Sequence, residues 1–241
     1  MTFVETPSAE KPTGANVSHM FARIAPRYDR ANHILSFGRD FAWRKELIRR
    51  VRMRNPRSVA DLATGSGDVA IALSRSLPGN VEITGYDFCE PMLEEARRKA
   101  ARLGLGKQIA FKSGDCLDLP MRDASIDVAT IAFGVRNFEN RAKGLREIHR
   151  VLRPGGAFLC LEFTQPARWF RPFYLAYLKF LLPVVAEIIT HDRAAYRYLA
   201  GSIESFPTKE SLSEELTAAG FQRIQSSGMS ASIVAIHEAE R

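Results

Sequence analysis

The sequence predicts an α/β fold: a doubly wound parallel sheet with an N-terminal helical piece and an insertion after the fifth strand. Two observations carry this expectation. From about Arg57 to Phe163, short apolar runs alternate with amphipathic helical stretches, the pattern of strands joined by crossover helices. A glycine-rich loop, "DLATGSGD" at 61–68, then falls where the first strand gives way to the first helix. Two glycines and two small hydroxyl residues there mark a backbone that a ligand must approach closely.

Taken in order, "SVADLA" reads as the first strand and "DVAIALSRSL" as the helix after it. "VEITGYD" is the second strand, and Pro91 opens the helix "PMLEEARRKAARLG", which Gly104 ends. "IAFKSGD" and "IDVATIAFG" are the third and fourth strands. "RAKGLREIHRVL" is a helix stopped by "RPGG", and "AFLCLEF" is the fifth strand. Beyond Thr164 an aromatic and apolar segment runs over 166–200. A helix follows, "TKESLSEELTAAG" with Thr208 as its cap, then two late strands near 221–226 and 231–237. Residues 1–17 are polar, with Pro7, Pro12 and Gly14, and read as a mobile tail. That leaves 18–241 as one domain, with 18–54 as a helical cap and 166–200 as a substrate-side insertion.

Hydrophobic residues make up 46% of the 241 and charged residues 25%, which argues against a mostly disordered chain. Cys89, Cys116 and Cys160 are widely spaced and form no C-x-x-C, so neither a zinc site nor a disulfide framework is expected. That usage fits a reducing compartment. The apolar run at 173–190 contains Lys179, Pro183 and Glu187, which makes it a poor membrane span. The chain is therefore expected to be soluble or peripheral. A net charge of +7 favours anionic surfaces, nucleic acid or acidic lipid, without choosing between them.

In open sheets of this kind, ligands sit beyond the carboxyl ends of the strands. Asp61–Asp68, Asp87, Asp115 and Ala132–Asn137 all fall at such ends. Gly65-x-Gly67-x-x-Ala70, with Asp87 further on, satisfies a loose dinucleotide fingerprint, so an NAD-dependent oxidoreductase is the alternative reading. A Walker loop is excluded because no Gly-Lys-Ser/Thr follows. Asp61, just before the loop, would repel a pyrophosphate but suits a cofactor carrying an ammonium and a sulfonium. Asp115 and Cys116, in "GDCLDLP", lie where an adenine edge would rest, and Asp115 can accept from its amino group. The cofactor expected is S-adenosyl-L-methionine. Gly65, Ser66 and Gly67 form its loop, and Asp87 accepts from its ribose hydroxyls.

"LPMRDASIDVA" and "EIHRVLRPGG" resemble the second half of class I methyltransferases, whose sheet is Rossmann-like. The resemblance narrows further. "YDRANHILSFGRDFAW" (28–43) is similar to the N-terminal signature of the ubiquinone/menaquinone biosynthesis C-methyltransferases, with Tyr28, Asp29, Asn32, Ser36, Gly38 and Trp43 matching. "RVLRPGGAFLCLEFTQP", "FGVRN" (133–137), "HDRAAYRYLAGSI" and "AAGF" resemble later parts of that family. Ala31, Asp40, Ala132 and Thr164 depart from its usual Met, His, Ser and Ser; the resemblance implies a cofactor contact at Ala132, here through backbone alone.

The resemblance implies methyl transfer to a ring carbon of a polyprenylated quinol, most simply demethylmenaquinol; the methoxybenzoquinol of ubiquinone synthesis is the alternative. Arg136 is the expected stabiliser of the phenolate, with an ion pair to a carboxylate such as Glu139 as its structural alternative, and Asn137 is the orienting amide. Asp29, His191 and Asp192 are candidate bases, each with a structural role as a cap or hydroxyl partner as its alternative, beside water-assisted deprotonation. Nucleic acid is not an expected partner, since the sequence lacks Asn-Pro-Pro-Tyr/Phe. The expected partners are the quinol, an anionic membrane surface and a possible second copy. The expected location is the cytoplasm, peripheral at the inner face of the cytoplasmic membrane. The basic run 43–57 is expected to be a solvated helix face first and a headgroup contact second.

Overall fold

The computed structural model describes residues 14–25, 28–182 and 193–241. At its centre β1 (Ser58–Leu62) is buried at every residue, because it carries parallel neighbours on both sides and helices on both faces. On one side lie β2 (Glu82–Asp87) and β3 (Ile109–Ser113). On the other lie β4 (Ile126–Ala132), β5 (Leu152–Phe163), β7 (Val234–Glu240) and β6 (Gln222–Met229). The order is β3-β2-β1-β4-β5-β7-β6. From β3 to β5 all pairing is parallel, with Ala60 opposite both Thr84 and Ala129. The order reverses between β1 and β4, the switch point at which such sheets open a crevice.

β7 runs antiparallel to both β5 and β6, an orientation the strand patterns left open. Only Ser230 to Ile233 separates β6 from β7, too short a link for a parallel crossover. β5 also begins earlier than its apolar run. The helix does end just before the "RPGG" stretch, at Val151, and that stretch also belongs to the strand, carried by a register shift that sets Leu152 opposite Ile126 and Ala157 opposite Val128. Gly156 allows it, since a Cβ there would lie 2.8 Å from the Arg153 carbonyl.

The helices are α1 (Gly14–Ile24), α2 (Tyr28–Leu35), α3 (Arg39–Met53), α4 (Asp68–Ser76), α5 (Glu90–Arg102), α6 (Arg141–Val151), α7 (Arg171–Ala176), α8 (Arg193–Glu204) and α9 (Lys209–Ala218). Thr208 caps α9 as expected, accepting from the Ser211 amide at 3.2 Å. α1 begins at Gly14, inside the stretch expected to be tail, and Val17 is 2% exposed. The fold therefore claims four residues more than polarity suggested, because one apolar side chain finds a buried seat.

Two apolar cores fill the faces of the sheet, around Phe158 on one side and Leu159 on the other. A third cluster joins Ile24 and Ala31 to Tyr174, Leu178, Leu182 and Ile203, with Phe163 and Ile233 packed beneath. The N-terminal piece and the insertion are thus one cap over the carboxyl edge of β5. α3 is clamped to the sheet by its arginines: Arg50 bonds Glu46 and Ser227, and Arg54 bonds Glu238 at 2.6 Å and Glu240 at 2.5 Å. Among the described residues, no helix is long and apolar enough to cross a membrane.

Candidate functional site

The glycine loop turns through a run of left-handed residues, Ala63 (φ 49°), Gly65 (φ 56°) and Gly67 (φ 82°). Gly67 has no alternative: a Cβ there would stand 2.9 Å from Ala96 Cβ and 3.0 Å from the Phe111 ring. Beneath the turn, the buried Asp61 carboxylate accepts from Thr64 Oγ1 at 2.5 Å and from Thr130 Oγ1 at 2.8 Å. Burial pushes its pKa up to about 6, and those two hydroxyls hold it from rising further. Asp61 therefore braces the loop from below and is absent from the lining of the cavity above it.

Asp87, at the end of β2, does line that cavity. Its carboxylate accepts from the Gly65 amide at 2.8 Å and the Cys89 amide at 2.9 Å. Burial raises its pKa, and these backbone donors counter the rise. Its carboxylate faces the cavity and offers an acceptor to a ligand hydroxyl there. The cavity extends from Asp87 and Phe88 past Gly65 and Ser66 to Asp115 and Cys116, then to Ala132, Phe133 and Asn137. Asp115 turns Oδ1 to its own Leu117 amide at 2.8 Å, shaping the adenine-side loop, and burial pushes the Cys116 thiol up. Of the expected cofactor residues, Gly65, Ser66, Asp87, Asp115, Cys116 and Ala132 line this cavity, and Gly67, like Asp61, does not.

Past β4 the chain turns through Phe133 (φ 61°) into a 3-10 turn, Val135–Asn137. Arg136 points away from the cavity lining. Its Nη1 meets Glu162 Oε1 at 2.8 Å and donates to the Phe133 carbonyl at 2.5 Å, and its backbone amide donates to Glu162 Oε2. The partner is a strand residue rather than Glu139, which lines the cavity. The Arg136 guanidinium also lies over the Phe163 ring, 5.2 Å from its centroid. Asn137 does face the cavity, and its Oδ1 accepts from Tyr198 Oη at 3.2 Å, bringing α8 to the mouth.

Asp29 lies on the far side of the loop. It accepts from Ser66 Oγ at 2.5 Å and pairs with Lys99, which also bonds Asp68 at 2.6 Å. Arg44 continues the chain of charges from Asp68 to Asp40. Held between Ser66 and Lys99, the Asp29 carboxylate ties the cap to the glycine loop and to α5. His191 and Asp192 lie outside the described residues.

Sequence reasoning missed Lys99, Phe133 and Tyr198. Phe133 had a signal, standing first in "FGVRN". Lys99 had none: its partners lie 70 and 31 residues away, and only folding brings them together. The expected S-adenosylmethionine fits these residues. Asp87 offers acceptors at the strand end, Gly65 opens the backbone, and Phe88, Met92 and Leu117 offer apolar walls.

Comparison with known proteins agrees with this geometry. The ubiE/COQ5 methyltransferase family matches residues 9–241. A demethylmenaquinone methyltransferase of Thermus thermophilus is 43% identical, over 92% of this chain and 100% of its own length. A ubiquinone/menaquinone biosynthesis C-methyltransferase, UbiE of Geotalea daltonii, is 36% identical over 95% of this chain and 97% of its own. Among solved structures, the [4+2]-cyclase SpnF superposes with a TM-score of 0.68 at 18% identity, covering 95% of this chain and 97% of that one. A SAM-dependent methyltransferase of Thermotoga maritima superposes at 0.63 with 17% identity, covering 92% and 98%. Those structural likenesses show a class I, Rossmann-like fold and leave the chemistry open, since one fold serves several reactions. On the match across nearly its whole length, this chain belongs to the ubiE/COQ5 methyltransferase family.

Proposed function

We propose that this chain methylates a ring carbon of a polyprenylated quinol, with demethylmenaquinol as the simplest acceptor. The observation that carries this reading is one cavity with two characters. Asp87, Gly65 and Asp115 give it a polar end suited to the cofactor, and Phe21, Phe133 and Phe138 give it aromatic walls. The name of the Thermus relative supports the naphthoquinol. The name of the Geotalea relative supports a second reading, in which the benzoquinol of ubiquinone synthesis is also accepted.

S-adenosylmethionine, when bound, supplies an electrophilic methyl group. The chain's own residues do the rest. Gly65 and Ser66 present backbone to the cofactor, Gly67 lets the loop close against Ala96 and Phe111, Asp87 takes the ribose hydroxyls, and Asp115 and Cys116 flank the base. Ala132 contributes backbone alone, and the Asp61 carboxylate adds a favourable field for its ammonium from beneath the loop. A quinol carbon becomes nucleophilic as its neighbouring phenol, with a pKa of roughly 10, loses its proton. Asn137, oriented by Tyr198, offers its amide to that oxygen. Arg136 acts behind it, fixing the 133–137 turn through the Phe133 carbonyl and Glu162. The cap excludes water from the site. The methyl leaves S-adenosylhomocysteine behind, the ring carbon gives up its hydrogen as the aromatic phenol is regained, and one proton in all leaves to solvent or to His191 or Asp192 in the segment before α8.

The deciding experiment is transfer of labelled methyl from S-adenosylmethionine to short-tailed demethylmenaquinol and to 2-polyprenyl-6-methoxy-1,4-benzoquinol. Labelled product from the naphthoquinol is expected. Product from neither would sink the reading, and product from both would establish the second.

A further inference from the structure

We propose that an exposed aromatic face on the outside of the cap is a docking surface for an anionic lipid bilayer, on the reading that the acceptor carries a membrane-dwelling polyprenyl tail. Phe37, Trp169, Phe173 and Phe180 are 76%, 71%, 70% and 68% exposed. Large rings this bare are unusual on a soluble surface unless they meet something. They belong to one region. The Phe37 ring lies 6.0 Å from Tyr177, and Tyr177 Oη donates to the Leu35 carbonyl at 2.7 Å, joining the end of α2 to the turn after α7. Phe170 stands between Trp169 at 5.3 Å and Phe173 at 6.4 Å.

The charges around these rings have one sign. Arg168, Arg171 and Lys179 are exposed on the same segment, Lys179 lying 5.7 Å over the Phe180 ring, and Arg39 is exposed two residues after Phe37. From Phe163 to Leu182 there is no acidic residue. Asp40, the nearest carboxylate in sequence to Phe37, is 2% exposed and tied to His33 and Arg44. Bare aromatic rings among unopposed cations are what a bilayer interface receives: the rings seat at headgroup depth and the cations meet phosphate. Among the described residues of this segment, a protein partner of mixed charge would find no acidic side chain.

The face is also well placed for its use. Its inner side is the cluster of Tyr174, Leu178 and Ile24, against which Phe21 packs, and Phe21 lines the cavity. A tail leaving the bilayer at this face would therefore pass from lipid to apolar cap. The basic helix face at 43–57 is less suited, because Arg49, Arg50 and Arg54 already meet Glu46, Glu238 and Glu240.

The test is co-sedimentation of the full chain with vesicles of equal phosphatidylglycerol and phosphatidylcholine, and with phosphatidylcholine alone. Trp43 is buried, so of the two tryptophans Trp169 reports the face; its emission should be quenched by lipid brominated near the headgroup. Wild type is expected to bind the anionic vesicles, and W169A/F173A/F180A to bind at least about tenfold less, with S-adenosylhomocysteine affinity and turnover of a short-tailed quinol retained. Equal binding by that variant, no quenching of Trp169, or no binding to anionic vesicles at low salt would overturn the proposal. So would lipid-independent dimerisation that the variant abolishes, which would mark the face as a contact between copies. Vesicle binding without turnover of any quinol would instead remove the proposed reaction and leave the docking surface standing.

Discussion

Ser66 in the glycine loop donates a hydrogen bond to Asp29 of α2 at 2.5 Å, across 37 residues of sequence. Through it the cap holds the backbone that faces the cofactor, and Lys99 locks the same carboxylate from the other side.

Asp29→Ala should therefore weaken cofactor binding without altering proton transfer. Losing a hydrogen bond of this kind costs about 0.5–1.5 kcal/mol, or roughly 2- to 13-fold in affinity. Calorimetry with S-adenosylhomocysteine measures it. Unchanged affinity together with a lost limb of the pH–rate profile would return Asp29 to the role of base.

Asp87→Ala removes the acceptor that two backbone amides and the ribose would share. The expected loss is about 1–3 kcal/mol of cofactor affinity. The same calorimetric titration reads it, and wild-type affinity in the variant would mean that the cofactor edge lies elsewhere.

Asp61 makes stability depend on pH. Its folded pKa, about 6, lies above its unfolded value, so the folded state holds the proton more tightly. The stability it contributes is fully present below about pH 4 and is lost as pH rises through 6, roughly 3 kcal/mol in all. Asp61→Asn keeps the shape and should flatten that window. Denaturant melts of both proteins at pH 4, 5, 6 and 7 check this; parallel curves would refute it.

Arg136 and Glu162 have side chains 4% and 1% exposed. Removing one partner strands a buried charge, so Arg136→Ala and Glu162→Gln should each lose about 3–5 kcal/mol of stability. If Arg136→Ala instead keeps its melting behaviour, loses turnover and regains it at high pH, the guanidinium acts on the phenolate directly.

Tyr198→Phe frees the Asn137 carboxamide to rotate. Turnover is expected to fall by about fivefold, the equivalent of roughly 1 kcal/mol for one hydrogen bond, with cofactor affinity unchanged. Asn137→Ala should fall further, and adding Tyr198→Phe to it should cost nothing more. Additive losses would separate the two residues.

The parallel core of the sheet was legible residue by residue. Strands such as "SVADLA" and the loop after it report themselves through local apolar runs, glycines and a strand-end aspartate, and Asp87 and Asn137 could be placed at the ligand edge from sequence alone. Register was less legible: the bulged start of β5 hides behind a Pro-Gly-Gly stretch that reads as a stop, and only its pairing with β4 makes it a strand. The partners of polar groups were not legible at all. Asp29 was expected among the candidate bases and Arg136 as the stabiliser of the phenolate, with Glu139 as its alternative partner, because each was read beside its chain neighbours. The partners the structure lays against them are Lys99, 70 residues from Asp29, and Glu162, 26 from Arg136. Local physics reaches one turn or one strand along the chain, so the sequence by itself determined the elements, the ligand edge and the family. A side chain's charge is settled by whatever folding lays against it, and that the tertiary structure alone decided.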